Sequence, residues 1–373
     1  METPCGLPSR KDNKVVFVLG ATGSGKSKLA IALATQFDGE IINSDKMQVY
    51  GGLDVITNKV TKEESAGIPH HLLGVVHPDA DFTASDFCRE AVHAIDSILG
   101  RGRVPIVAGG SNSYIEGLVD GEGGEFRSRY QCLFLWVDAA LPLLHSFVSA
   151  RVDRMAEKGL VEEARSLFHA NADYSRGIRR SIGVPEMDHY FRMEASADEE
   201  TRARILEAAV DEIKANTCKL TCIQLQKIHR FCTLPGWDLH RIDAGEFFLK
   251  RGQEGEAEAW EKVVESPSTE IVRRFLTGAG GVKHMAGEEG TADDNKEDNG
   301  EVADKHGTAG KYKDENCEVK HVAGDDGATD RKNADENGSE AGANGEGPKN
   351  VVKDVKGETE TGHVNGIAAN REV

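Results

Sequence analysis

No apolar run in this 373-residue sequence approaches the ~20 residues of a membrane-spanning helix, so no membrane association is expected. Basic residues are not in excess either. Lys and Arg number 45 against 63 Asp and Glu, a formal net charge of −18. A dedicated nucleic-acid binder presents a basic face, so that class is disfavoured, although much of the acidity lies towards the C-terminus. The seven cysteines show no zinc-knuckle spacing and no secreted disulfide framework. Cys218 and Cys222 fall one turn apart on a predicted helix, with His229 and Cys232 downstream. That set reads as a buried helical stripe in preference to a metal cluster, and a reducing compartment fits it. Before the first apolar run stands only the polar leader METPCGLPSRKDNK. Its length and two acids leave little room for a signal or transit peptide, so the expected compartment is the cytosol, with a plastid left open.

Aromatic and branched residues nearly vanish beyond Gly278, where Gly, Asp, Glu, Asn and Lys dominate. Such a segment buries too little apolar surface to offset its ordering entropy, so residues 279–373 are expected to be disordered. They contain an imperfect repeat, VKHMAGEEGTAD at Val282–Asp293 and VKHVAGDDGATD at Val319–Asp330. It has no apolar face on which units would stack, and reads as duplicated low-complexity sequence.

What is present is a βα alternation. VVFVL (Val15–Leu19) is a continuous apolar run, the mark of a strand buried on both faces of a parallel sheet. Further strands are predicted at Glu40–Asn43, Val104–Ala108, Cys132–Val137 and Asp238–Ile242, and helices at Lys26–Phe37 and from Ala84 to Leu99. Pro142 to Phe231 is mainly helical with a break near Asn171–Gly183, its last helix running Thr201–Phe231, and Ala257–Leu276 is predicted as one closing helix. The expected fold is α/β: a parallel sheet of P-loop NTPase type flanked by helices, with a helical subdomain and a disordered tail. The expected division is a leader at 1–13, the first part of the core at 14–141, a mainly helical substrate subdomain at 142–235, a return to the core at 236–278, and the tail. In such sheets ligands bind beyond the carboxyl ends of the strands, where Thr22, Asp45, Ser111 and Asp138 are expected to emerge.

Gly20-Ala21-Thr22-Gly23-Ser24-Gly25-Lys26-Ser27 satisfies G-x-x-x-x-G-K-[ST] between a predicted strand and a predicted helix. Its glycines let backbone N–H groups converge on phosphate oxygens at a helix N-terminus; Lys26 adds a cation and Ser27 a hydroxyl for Mg²⁺. This fixes a polyphosphate site without saying which molecule brings the phosphates. Asp45, at the end of the second strand, would orient a hydroxyl or metal in a phosphotransferase, or accept a proton in a transferase acting on an amine.

The ordered blocks GATGSGKSKLAIALA, GEIINSDKMQVYGGLDVITNKV, PHHLLG, VAGGSNSYIEGL, RGIRRSIGVPE and DEIKANTCKL resemble those of plant-type adenylate isopentenyltransferases, which are similar to the tRNA dimethylallyltransferases. The resemblance covers Lys14 to Lys227 and continues weakly to Leu276. It implies transfer of a dimethylallyl group from dimethylallyl diphosphate to the N6 amine of ATP, ADP or AMP, with Mg²⁺ as cofactor; a monomer is expected, although the sequence does not fix the oligomeric state. By the same resemblance Asp45 is the general base and Thr22 lies near the reacting centre. Arg180 holds diphosphate, with Arg179 as the alternative, Ser111 helps hold the acceptor, and Lys219 and Lys227 face nucleotide phosphates. Ser111 after two glycines reads equally well as a plain turn or helix cap residue. His70 and His71 receive no catalytic role and are expected in a turn. The sequence departs from the pattern at Ile223, where an arginine is expected, and at Gly51, where a lysine is expected.

Three other readings stay open: a tRNA enzyme of the same superfamily, a small-molecule P-loop kinase with Arg179 and Arg180 as a lid, and an impaired member acting as an interaction protein. A tRNA substrate calls for a large basic surface, and eukaryotic versions usually add a zinc-finger-like end. Neither is seen, so tRNA is disfavoured.

Overall fold

The computed structural model describes residues 13–278. In chain order the elements are β1 (Lys14–Leu19), α1 (Lys26–Gln36), β2 (Gly39–Asn43), β3 (His70–His71), α2 (Ala84–Gly100), β4 (Val104–Ala108), α3 (Asn112–Asp120), α4 (Glu125–Arg129), β5 (Gln131–Asp138), α5 (Leu141–Glu157), α6 (Leu160–Ser166), α7 (Asp188–Met193), α8 (Glu199–Phe231), β6 (Leu239–Asp243), α9 (Gly245–Leu249), α10 (Glu256–Trp260) and α11 (Ser266–Thr277). The expectations for residues 1–12 and for the tail at 279–373 fall outside the described residues.

All six strands are parallel, in the order β3-β2-β4-β1-β5-β6. The expected α/β architecture is therefore found. β1 lies between β4 and β5, and Val15–Leu19 are wholly buried, which is why this strand reads as an unbroken apolar run. The loop after β1 thus leaves the middle of the carboxyl edge.

Two apolar clusters hold the described residues. One packs helices on the sheet around Phe17, Leu29, Ile106, Leu135 and Ile228. The other joins Val49, Tyr50, Leu53 and Ile56 to Val152, Met155, Leu160, Ile178, Met187 and Ile213. Helix α8 enters both: Ala209 and Ile213 belong to the second, Leu225, Ile228 and Phe231 to the first. With its 33 residues it spans about 50 Å at ~1.5 Å per residue, so one rigid element reaches from the helical cluster to the P-loop.

The structure corrects two expectations. His70 and His71 form strand β3, paired with Ile41 and Ile42, and do not sit in a turn. The predicted closing helix at Ala257–Leu276 is broken into α10, a π-helical turn at Glu261–Glu265, and α11, with Pro267 in the first turn of the latter. Proline has no N–H to donate, so the regular ladder is interrupted there. Asp138 does emerge at the carboxyl end of β5, where it accepts from Arg241 Nε at 2.7 Å across the β5–β6 pair.

Candidate active site

The loop after β1 wraps the N-terminus of α1. Gly25 has φ +97°, and a Cβ there would stand 2.8 Å from the Trp260 ring, so both conformation and packing require glycine. Lys26 Nζ donates to the Ala21 carbonyl at 3.3 Å. Burial pushes its ammonium down to about 8; Asp45 opposes that shift and Arg151 adds to it. Ser27 stands exposed in the first turn of α1.

Asp45 lies two residues beyond β2. Its Oδ1 accepts from the Met47 amide at 2.9 Å and the Gln48 amide at 3.3 Å, fixing the carboxylate by its own turn. Its Oδ2 accepts no hydrogen bond among the described residues. The hydroxyl of Ser111, just ahead of α3, accepts from the Lys46 amide at 2.9 Å and makes no cap bond to its own helix. Of the readings for Ser111, the structure shows the turn contact: the hydroxyl steadies the Asp45 turn and does not cap its own helix.

Arg180 and Asp45 both act on the Tyr114 hydroxyl. Burial and Tyr50 push that phenol up, Arg180 opposes, and Asp45 reinforces. Arg180 is exposed and its Nε donates to the Gly177 carbonyl at 3.3 Å; it forms no ion pair among the described residues. Arg179 is instead bound to Asp79. Between the two adjacent arginines, Arg180 has its charge available.

Lys219 and Lys227 share one side of α8 with Ile223 between them, 44% exposed. Lys219 Nζ donates to Asn216 Oδ1 at 3.2 Å, and Lys227 forms no ion pair among the described residues. On the same stretch of α8, Cys218 faces Ser149 and Cys222 faces His145.

Two residues that sequence reasoning missed complete the site. Arg151, on α5, donates from Nη2 to the Thr22 hydroxyl at 2.9 Å, and its Nε is buried with no partner among the described residues. Burial pushes its guanidinium down to about 10, against the pull of Asp45, which leaves it charged at neutral pH. Gln224, on α8, accepts from the Thr22 amide at 2.7 Å. Their partner in the P-loop lies far away in sequence, so no local spacing announces either one.

The IPP transferase family model matches residues 48–128 and 122–230. The chain is 58% identical over 271 residues to adenylate isopentenyltransferase 5, chloroplastic, of Arabidopsis thaliana, covering 72% of this chain and 82% of that protein. It is 55% identical to adenylate isopentenyltransferase 7, mitochondrial, of Arabidopsis thaliana (70% of this chain, 80% of that one). To the adenylate isopentenyltransferase of Humulus lupulus it is 42% identical, over 69% of this chain and 89% of that one. Among solved structures, a eukaryotic dimethylallyltransferase acting on tRNA shares the fold with a TM-score of 0.59 at 24% identity, over 71% of this chain and 80% of that one. A tRNA isopentenylpyrophosphate transferase from Staphylococcus epidermidis gives 0.55 at 22%, over 70% of this chain and 99% of that one. The chain belongs to the adenylate isopentenyltransferase family, a branch of the IPP transferases.

Proposed function

We propose that this protein transfers a dimethylallyl group from dimethylallyl diphosphate to the N6 amine of ATP or ADP, with AMP as a further acceptor, the first step of cytokinin synthesis. The observation that carries the reading is the meeting of opposite charges around the P-loop. Lys26 and Arg151 sit on the donor side, and both feel Asp45, whose second oxygen is uncommitted among the described residues. The names of the relatives support a free nucleotide over tRNA as acceptor.

In this reaction the bond between the allylic carbon and its diphosphate oxygen breaks, and the N6–carbon bond forms. The electron pair goes to the departing diphosphate, so fixed donors are needed there. The amides of Gly23–Ser27, Lys26, Arg151 and Arg180 supply them. Thr22, whose hydroxyl accepts from Arg151, is the cradle residue assigned to the reacting centre. The adenine amine is a weak nucleophile, so orientation against the allylic carbon contributes much of the acceleration. Asp45 accepts the N6 proton, and Lys219 and Lys227 attract the nucleotide phosphates.

The Ser27 hydroxyl makes no hydrogen bond among the described residues and follows the loop that would cradle the diphosphate, which suits Mg²⁺, an ion that keeps most of its waters and takes few protein ligands. When bound it neutralises charge on the leaving group. The helical stretch at 142–235 serves as the substrate subdomain, and the chain works as a monomer. The relatives' names weigh for an organelle against the cytosol read from the leader; imaging the full chain fused to a fluorescent protein decides between them.

The test incubates purified protein, Mg²⁺ and dimethylallyl diphosphate with ATP, ADP, AMP or unmodified tRNA, and follows prenylated adenine by mass. Product on ATP or ADP is expected. Product on tRNA alone, or on none of the four, would overturn the reading.

A further inference from the structure

Gln224 is 6% exposed at the point where α8 crosses the carboxyl edge of the sheet. Its side chain joins two loops. Oε1 accepts from the Thr22 amide at 2.7 Å, and Nε2 donates to the Gly110 carbonyl at 2.9 Å. The orientation of the amide is forced, because a backbone N–H only donates and a carbonyl only accepts. The main chain of Gln224 is fixed as well: its carbonyl accepts from Asn112 Nδ2 at 3.0 Å.

The loop that Gln224 reaches through Gly110 also carries the proposed base. Ser44 donates from its amide to the Ala108 carbonyl at 2.9 Å, and the Ser111 amide donates to the Ser44 carbonyl at 3.1 Å. The Ser111 hydroxyl then accepts from Lys46. The Asp45 turn therefore rides on the loop after β4. That docking needs glycine at two points. A Cβ on Gly109 would stand 2.4 Å from Ser44, and one on Gly110 would stand 2.4 Å from Gln224 Nε2. Across the gap, Thr22 belongs to the diphosphate loop. No other side chain among the described residues hydrogen-bonds to both loops.

We propose that Gln224 is a positioning residue that sets the separation between the donor cradle at Thr22 and the acceptor-side base at Asp45. The role rests on the prenyl-transfer reading above. The residue's side-chain hydrogen bonds go to Thr22 and Gly110 and to neither the P-loop glycines nor the lysines assigned to phosphates, so it governs how the two substrates meet and not how tightly either is held. A displacement of ~1 Å between reacting groups costs about 100-fold in rate.

The test compares Gln224→Met, which keeps the shape and loses both bonds, with Gln224→Glu. In each, kcat, the KM for both substrates, and the Kd for inorganic diphosphate are measured below the melting temperature. Gln224→Met is expected to lower kcat about 100-fold, with both KM values and the Kd within about threefold of wild type. Gln224→Glu sets a carboxylate oxygen against the Gly110 carbonyl and is similarly impaired at neutral pH. A protonated carboxyl, however, donates from its hydroxyl and accepts on its other oxygen, as the amide does. Its kcat relative to wild type should therefore rise as pH falls from about 8 to about 6, since burial raises a carboxyl's pKa. Gln224→Met should show no such rise.

A second measurement is a double-mutant cycle with Gly110→Ala. The alanine should cost about tenfold more kcat beside Gln224 than in a Gln224→Ala background, because the clash it makes is with that amide. A folded Gln224→Met with wild-type kcat, a loss confined to KM or to diphosphate affinity, or strict additivity with Gly110→Ala would each overturn the proposal. If wild-type protein prenylates no nucleotide, the functional reading falls first and the positioning role falls with it.

Discussion

The two ends of β2 carry carboxylates in opposite states. Near the amino end, Glu40 has a side chain only 4% exposed and is ringed by cations. Arg101 donates to it at 2.7 Å and 3.1 Å, Arg103 at 3.2 Å, and His71 lies 2.6 Å away. Burial pushes this carboxyl up, yet the bonds from Arg101, His71 and Arg103 prevail and hold it down to about 2. Just past the carboxyl end, Asp45 is held by two backbone amides and forms no ion pair among the described residues, although Lys26 and Arg151 both feel its charge. The satisfied carboxylate holds the fold. The unsatisfied one, beside two cations driven down by burial, is arranged for a ligand that brings anionic phosphates to those cations and a proton to that oxygen.

The contrast is broken most sharply at Asp45. Asparagine keeps the oxygen that Met47 and Gln48 need and removes the proton acceptor. Asp45→Asn should cut turnover about 1,000-fold, within the ~10²–10⁴ expected for a general base, with a melting temperature shifted by no more than about 2 °C. At the other end the readouts exchange places. Glu40→Gln leaves Arg101 and Arg103 without their anion and should cost about 3 kcal/mol, lowering the melting temperature by roughly 6–12 °C with kcat within about twofold. Because the folded-state pKa of Glu40 is depressed, its contribution is fully present above the ordinary carboxyl value of 4.5 and is lost as pH falls towards about 2. The variant should lose that part of the acid dependence in a urea titration at each pH.

The difference between the two ends also explains what the sequence made legible. The P-loop is written in eight consecutive residues, and the strands around it are short apolar runs whose burial on both faces leaves a local mark. Asp45 and Ser111 could be found because each closely follows such a strand. Arg151 and Gln224 left no local sign: SARVDRM and CIQLQ are ordinary helix, and their partner Thr22 is reached only through the tertiary fold. The Glu40 cluster was hidden likewise, since His71 was read as part of a turn while the structure pairs it beside β2. The break at Glu261–Glu265 was missed because helical periodicity survives a single π turn.

Two smaller effects sharpen the ligand side of the comparison. Lys26, held down to about 8, carries its charge below that value and loses it above. Calorimetric affinity for inorganic diphosphate should therefore weaken about tenfold per pH unit above about 8, and a flat profile to pH 10 would remove Lys26 from the site.

The smallest expected change lies on α8. Ile223 is 44% exposed between Lys219 and Lys227, which stand one turn to either side of it. An apolar side chain there can neither pair with a phosphate nor bury itself. Ile223→Arg places a fixed charge on the same face, at a cost in packing that the exposure keeps small. The KM for ATP should fall about threefold to tenfold, in the ~1 kcal/mol range of an exposed ion pair, while the KM for dimethylallyl diphosphate stays unchanged. The gain should be larger for ATP than for AMP, which brings fewer phosphates, and should shrink as ionic strength rises through ~0.15 M. Improvement in the donor's KM instead, or a gain indifferent to salt and to phosphate number, would separate this face of α8 from the acceptor and leave Lys219 and Lys227 as solvated surface charges.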